Sequence, residues 1–401
     1  MTRYRSWILT DTQHDIWVDS FGIGSADMPL HEKHNWSIRK RTLHGGRRDG
    51  IDLIDVSNGE LAFSVLPTRG MGLWRGIYRG HALGWQSPII GPVHPKYVDA
   101  NDRGGIGWLT GFDEWLVRCG LNFNGPPGTD VRTDKSGQTH SNPVTLHGRI
   151  ANIPAHYVEV RVNPDPPHEL SIIGHVEEGS LFGGRLNLVT TYTTVPGSNR
   201  LVIHDVITNL SAQSAELQLL YHCNLGAPFL EAGSRVVLPI REMSPLTPRA
   251  AEGIETYETY AGPTTGYAEQ VYCYDPLSDD AGRTLAMLYN KNADLGAVLR
   301  FNTKELPCFT VWKNTSAVAD GYVTGLEPAT NYPNFKTFER EQGRVPVISP
   351  GGHYESSWSF EVQEGSAAVA EVLSEIVQIQ TTAKAQIHQK PANKFSAAGE
   401  E

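Results

Sequence analysis

Gly184-Arg-Leu-Asn-Leu-Val-Thr-Thr-Tyr-Thr-Thr194, Val195-Pro-Gly-Ser-Asn199 and Arg200-Leu-Val-Ile-His-Asp-Val-Ile-Thr208 read in order as strand, turn and strand. Apolar, β-branched residues alternate with polar ones in both outer runs, the period of a half-buried strand. Pro, Gly, Ser and Asn break the chain between them. The pattern continues outward on both sides. His156–Val162 and Glu169–Glu177 precede it; Gln270–Tyr274, Arg283–Tyr289, Gly296–Asn302, Cys308–Lys313 and Tyr354–Val362 follow. Near the N-terminus, Ile51–Ser57, Asn58-Gly59 and Glu60–Leu66 predict a hairpin, because both turn residues tolerate positive φ. Leu73–Tyr78 and His81–Trp85 predict another, with Trp74 and Trp85 as core aromatics.

Short strands at this spacing predict an all-β, antiparallel sandwich. Residues 366–380 depart from it: Val369, Val372, Leu373, Ile376 and Ile379 fall at helical spacing. No internal repeat and no rich linker divides the chain. The expectation is one β-sandwich domain over residues 1–380, with residues 1–50 as an N-terminal extension. Residues 381–401 are polar and are expected to be a disordered tail.

The chain has 401 residues, 39% of them hydrophobic, enough for a sizeable core. Its formal charge of -10 disfavours a phosphate backbone as partner, so nucleic acid is not expected. Four cysteines, Cys119, Cys223, Cys273 and Cys308, form no CxxC pair. No signal peptide and no apolar span of membrane length is visible. These features predict a cytoplasmic protein with reduced thiols, no membrane partner and no cofactor. A homodimer is compatible with the sequence.

Candidate site residues lie at strand ends. Gly321-Tyr-Val-Thr-Gly-Leu-Glu327-Pro328 is an apolar run ending on a carboxylate, and Pro328 is expected to stop the strand. A carboxylate presented there suits a general base, or is a solvated loop Glu. Ala215–Pro228 reads as an alternating strand that puts His222 and Asn224 on one face. His147 precedes a Gly at a bend. Arg69 is followed by Gly70, so it could hold a ligand or tie a loop. Lys313 closes a strand sequentially adjacent to that of Glu327, which would place it in the same cleft or on the surface. Gly107–Gly120 stays open between a short helix and two strands.

Thr145-Leu-His147-Gly, Leu220-Tyr-His222-Cys-Asn-Leu225 and Gly325-Leu-Glu327-Pro occur in the order of the motifs of aldose 1-epimerases, the galactose mutarotases, and resemble them. Leu66-Pro-Thr-Arg-Gly-Met, Leu146-His-Gly-Arg-Ile-Ala-Asn and Gly325-Leu-Glu-Pro-Ala-Thr resemble the DUF4432-type bacterial branch of that superfamily. The resemblance spans roughly residues 50–362 and implies a large antiparallel β-supersandwich. It implies Glu327 as base and His222 as acid in sugar ring opening, with the His held protonated by a neighbour. Arg69 and His147 would bind sugar hydroxyls or steady developing charge. A second Thr-Leu-His-Gly at Thr42–Gly45 precedes Arg69 and breaks the order.

The family's substrate-binding Asp has only Asp275 or Glu269 as counterparts here. Arg149 and Lys313 are additional cations, which point to an acidic, phosphorylated or keto sugar. They also allow chemistry at the carbon next to the carbonyl, with Lys313 or His147 polarising an enediolate. No metal is expected, although His147, His222 and Glu327 would make an open two-His, one-carboxylate set. A non-catalytic carbohydrate-binding protein is the remaining reading.

Overall fold

The computed structural model describes residues 4–31, 33–133, 137–181 and 183–399. The strands expected from alternation form, and most join two large sheets. One has ten strands, in the order Arg235–Val237, Arg283–Tyr289, Leu295–Asn302, His353–Glu364, Arg200–Asn209, Arg185–Thr194, Leu170–Gly179, Tyr157–Val162, Arg5–Asp11 and Ile16–Trp17. The other has thirteen. Its centre runs Gln270–Pro276, Cys308–Thr315, Tyr322–Ala329, Leu220–Leu225, Leu116–Cys119 and Gly72–Tyr78. All these central pairings are antiparallel. The fold is therefore the expected all-β supersandwich. Ser366–Gln380 is the helix read from its apolar spacing.

The main core lies between the sheets and draws on both: Leu188, Ile203, Trp358 and Phe360 from one, Phe63, Tyr221, Val311 and Leu326 from the other. A buried ion pair crosses it. Arg118 reaches from the strand Leu116–Cys119 to Asp205, with Nε 2.5 Å from Oδ2, and also donates to Tyr192 Oη and Thr190 Oγ1. Tyr221 donates to the same carboxylate at 2.7 Å. Burying these charges is tolerable because each has partners with hydrogen-bond geometry.

The sheets differ in their outer faces. Arg185–Thr194 and Arg200–Asn209 alternate buried with half-exposed residues, as expected of a sheet with one wet face. Leu220–Leu225 and Tyr322–Ala329 are buried at every position. The large sheet is thus covered on both sides, and its second face carries its own cluster, including Trp108, Phe112, Val117, Leu220, Ala329 and Tyr332.

Three expectations are corrected. Residues 1–50 are no appendage: Arg5–Asp11 pairs with Tyr157–Val162 in one sheet, and Ser37–Thr42 with Asp52–Ser57 in the other. The described part of the polar tail is docked rather than disordered. Gln386–Ile387 adds a parallel strand beside Glu242, and Phe395 is fully buried against Tyr332. Pro328 does not end its strand; it lies opposite Phe309 and pairing continues to Ala329. No helix among the described residues is long and apolar enough to cross a membrane.

Phe395→Ala should cost about 3–5 kcal/mol, the usual penalty for emptying an aromatic site. It would be read as a lower urea midpoint at unchanged m-value. A docked tail requires that loss, whereas a change under about 0.5 kcal/mol would mean the tail contributes nothing.

Candidate active site

The register of two neighbouring strands assembles the centre. Leu220 lies opposite Ala329 and Cys223 opposite Leu326, which brings His222 across from Glu327. Directly opposed residues share a face. His222 Nε2 is 3.1 Å from Glu327 Oε1, with side chains only 6% and 3% exposed. Gly325 leaves room for both: a Cβ there would come within 2.4 Å of Glu327 Oε1 and 3.0 Å of His222 Cε1.

The His222 ring is oriented from behind. Its Nδ1 lies 2.6 Å from Asn224 Oδ1, and the Asn224 amide nitrogen donates to the carbonyls of Glu114 and His222. The amide is thereby fixed with oxygen toward the ring, so Nδ1 carries the hydrogen and neutral Nε2 is an acceptor facing Glu327. His147 joins at 5.7 Å between ring centroids. It has a positive φ of 59°, unusual for a side chain with a Cβ. Loop bonds hold it: its N–H donates to Gly125, its carbonyl accepts from Gly120, and Nδ1 donates to Asn124 O at 3.0 Å. Aromatic rings close the surroundings. Phe112 and Trp312 lie 5.2 and 5.3 Å from His222, and Trp108 lies 4.7 Å from His147. Trp85, expected as a core aromatic, packs half-buried against the cluster on this face, 5.1 Å from Phe112.

Burial sets the protonation. It pushes the Glu327 carboxyl well above its ordinary range, and the Glu269 carboxylate adds to the rise. Burial pulls His222 down to about 3, with His147 contributing, and His147 to about 4. All these shifts disfavour charge, so burial pushes Glu327 toward its protonated form and both imidazoles toward their neutral forms. The resemblance implied a protonated His222 held by a neighbour. Its nearest neighbours are Glu327 and the Asn224 amide oxygen.

The three expected cations are elsewhere. Arg69 is 1% exposed and saturated: it pairs with Glu114 and donates to Val93 O, Asn152 Oδ1 and Gly111 O. It ties together the loops that carry Trp108, Phe112 and His147, and so positions the site rather than presenting donors to a ligand. Lys313 lies opposite Thr324, while Thr310 lies opposite Glu327. An odd spacing puts Lys313 on the other face, where it donates to the carbonyls of Thr256, Tyr257 and Thr259. It cannot polarise a substrate beside Glu327. Arg149 is exposed, and its charge acts on Glu178. Asn224 is fully buried and committed to His222, so it is an orienting group. Asp275 is held by Lys394, whereas Glu269 accepts from Trp312 Nε1 at 2.6 Å beside the site. Among the described residues no three His, Cys, Asp or Glu side chains converge in a metal-ligand arrangement.

Trp108, Phe112, Trp312 and Thr310 were not singled out from sequence. Trp108 and Phe112 are four apart in Gly107–Gly120, which resolves into a short 3-10 turn followed by a strand, and four-residue spacing was the available signal. Thr310 and Trp312 needed the cross-strand register.

Residues 48–362 match the family model described as "Domain of unknown function (DUF4432)", and the chain belongs to that family. Among solved structures, a candidate aldose 1-epimerase from Klebsiella pneumoniae is similar at 38% identity and TM-score 0.90, over 97% of this chain and 99% of that one. A galactose mutarotase-like protein from Clostridium acetobutylicum shares the fold at 16% identity and TM-score 0.56, over 82% and 98%. No curated protein matches the chain in sequence.

Glu327→Gln should make the protein more stable, increasingly so as pH rises. The folded-state pKa is raised, so the wild type keeps this contribution below about pH 4.5 and loses it as pH climbs toward the folded value. Gln has nothing to lose. Melting temperatures of the two proteins should converge near pH 4 and diverge toward pH 8; a constant offset would contradict the raised pKa.

Proposed function

We propose that the protein is a sugar isomerase of the aldose 1-epimerase type, opening and closing a sugar ring at C1 with Glu327 and His222 as the proton-transfer pair. The observation that carries this reading is the 3.1 Å contact between His222 Nε2 and Glu327 Oε1. A hemiacetal carbon bears two oxygens, the anomeric hydroxyl and the ring oxygen. Ring opening takes a proton from the first and gives one to the second. A base and an acid side by side on one sheet face match that geminal pair.

In the ring-opening direction, Glu327 as carboxylate accepts the anomeric proton while Nε2–H of His222 protonates the ring oxygen. The C1–O5 bond breaks and C1=O1 forms. Rotation about C1–C2 and reversal of both transfers yields the other anomer. The proton that rests on Glu327 reaches His222 across the short contact, and the pair's proton count is unchanged by turnover. His147, whose Nδ1 is occupied by Asn124, has Nε2 left as an acceptor for a sugar hydroxyl.

The test is NMR of aldoses in deuterated water with and without protein. Faster exchange between anomer signals without deuterium entering C–H positions is expected, and Glu327→Gln should abolish it. Deuterium at the carbon next to the carbonyl would assign enediolate chemistry instead. Binding without any exchange would assign a carbohydrate-binding protein.

The pH profile is a separate check. With His222 depressed to about 3, the rate should stay flat through pH 6.5, where an ordinary imidazole titrates. A break near 6.5 would mean that His222 titrates as a solvated group.

Gly325→Ala should cost about 1–3 kcal/mol of stability by overpacking and cut the rate of the folded protein by about 100-fold, the scale of an ångström-sized misplacement. Wild-type rates in that variant would show that the pair's spacing is not what matters.

A further inference from the structure

Beside the reactive pair, two buried polar atoms have no hydrogen-bond partner, Thr310 Oγ1 and Trp108 Nε1, and Glu327 Oε1 has only the 3.1 Å contact to His222 Nε2. Thr310 is fully buried and directly opposite Glu327 on the same face. Trp108 is 1% exposed and packs against His147 and Phe112, with its ring 6.4 Å from that of His222. Leaving such a group unpaired is unfavourable, and folded proteins pair the large majority of them. The cluster around them contains Phe112, Val117, Cys119, Leu220 and Cys273, which offer no strong acceptor. An indole N–H can only donate; a Thr hydroxyl can donate and accept. Two such groups flanking an acid–base pair are complementary to hydroxyls.

The charges narrow the ligand. The groups acting on Glu327 are its own burial and the Glu269 carboxylate. Arg69 is saturated, Lys313 is on the other face and Arg149 is exposed. A phosphate or carboxylate would need one of these forks or ammonium groups facing it. Beside Glu269 it would instead meet a like charge. The half-exposed Trp85 and Trp312 offer rings against which the C–H face of a pyranose can pack.

We propose that Trp108 Nε1 and Thr310 Oγ1 are hydroxyl-recognition groups of this site, and that the sugar it takes is neutral. The proposal rests on the sugar-isomerase reading for its substrate class, but it concerns binding, which is measured without turnover. It replaces the acidic or phosphorylated sugar expected from the count of cations.

The experiment is calorimetric titration of the full chain with galactose, glucose, fucose and xylose, and in parallel with glucose 6-phosphate and galacturonate. An anomeric mixture is already at equilibrium, so the active protein can be used. At least one neutral sugar should bind, with the charged analogue of the same ring at least tenfold weaker. Trp108→Phe and Thr310→Val keep the shape and remove the polar atom. Each should weaken binding of the neutral sugar about five- to tenfold, the value of one hydrogen bond, with melting temperature held or raised. Should Trp108→Phe fail to fold, Thr310→Val carries the test alone. Unchanged affinity in the folded variants, tighter binding of the phosphate or uronate, or no binding of any neutral sugar overturns the proposal. Neutral-sugar binding that depends on both groups, without anomer exchange, would leave it standing while the isomerase reading fails.

Discussion

Side chains alternate between the two faces of a strand, and the centre of the large sheet depends on that rule. Along Leu116–Cys119 and Leu220–Leu225, Arg118 and Tyr221 turn inward to Asp205, while Val117, Cys119, His222 and Asn224 turn outward. The inward set fastens one sheet to the other through a charged, fully bonded network. The outward set forms the floor of the site. A one-residue slip in register would exchange the two sets, burying a histidine between the sheets and turning the arginine away from its carboxylate. Sheet cohesion and site geometry therefore depend on the same register.

Covering the second face of that sheet makes the chemistry unusual. His222 and Glu327 sit under Phe112, Trp108 and Trp312 in surroundings that hold charge poorly. Burial answers that difficulty by shifting both groups toward their neutral forms, the carboxyl upward and the imidazole downward. The wall over them is held by a buried ion pair: Arg69 and Glu114 are paired in the interior, and their further hydrogen bonds go to loop backbones at Val93, Gly111 and Asp113 and to the Asn152 side chain. Asn124 and Asn331 exchange amide hydrogen bonds and link the His147 support to the segment after Glu327. Each loop of the site is anchored by a buried polar group of another, which keeps the geometry from depending on any single loop's own conformation.

The polar groups left over are informative for the same reason. Where Arg69, Asn224, Asn124 and Glu114 are saturated, Trp108 and Thr310 are not, although all are buried. Saturated groups build the site. The indole and hydroxyl beside the pair are the ones that the protein's own bonds leave open there.

Strand existence, the helix over 366–380 and the Asn58-Gly59 hairpin were legible locally, because periodicity and turn chemistry are properties of a few adjacent residues. His147, His222 and Glu327 were joined by the order of their motifs, and the structure brings their side chains close together. Burial of Glu327 was not legible, since what covers a strand end comes from remote loops. Nor was the docking of the tail, where a single Phe395 in a polar segment finds Tyr332. Cations were the hardest to place. Arg69 and Lys313 look alike as sequence, and only cross-strand register and remote partners decide that one braces the loops and the other faces away. The sequence by itself determined which residues alternate and which chemistry is available. The tertiary structure decided which side chains meet, because register and covering loops are set by contacts between residues from 45 to 207 positions apart.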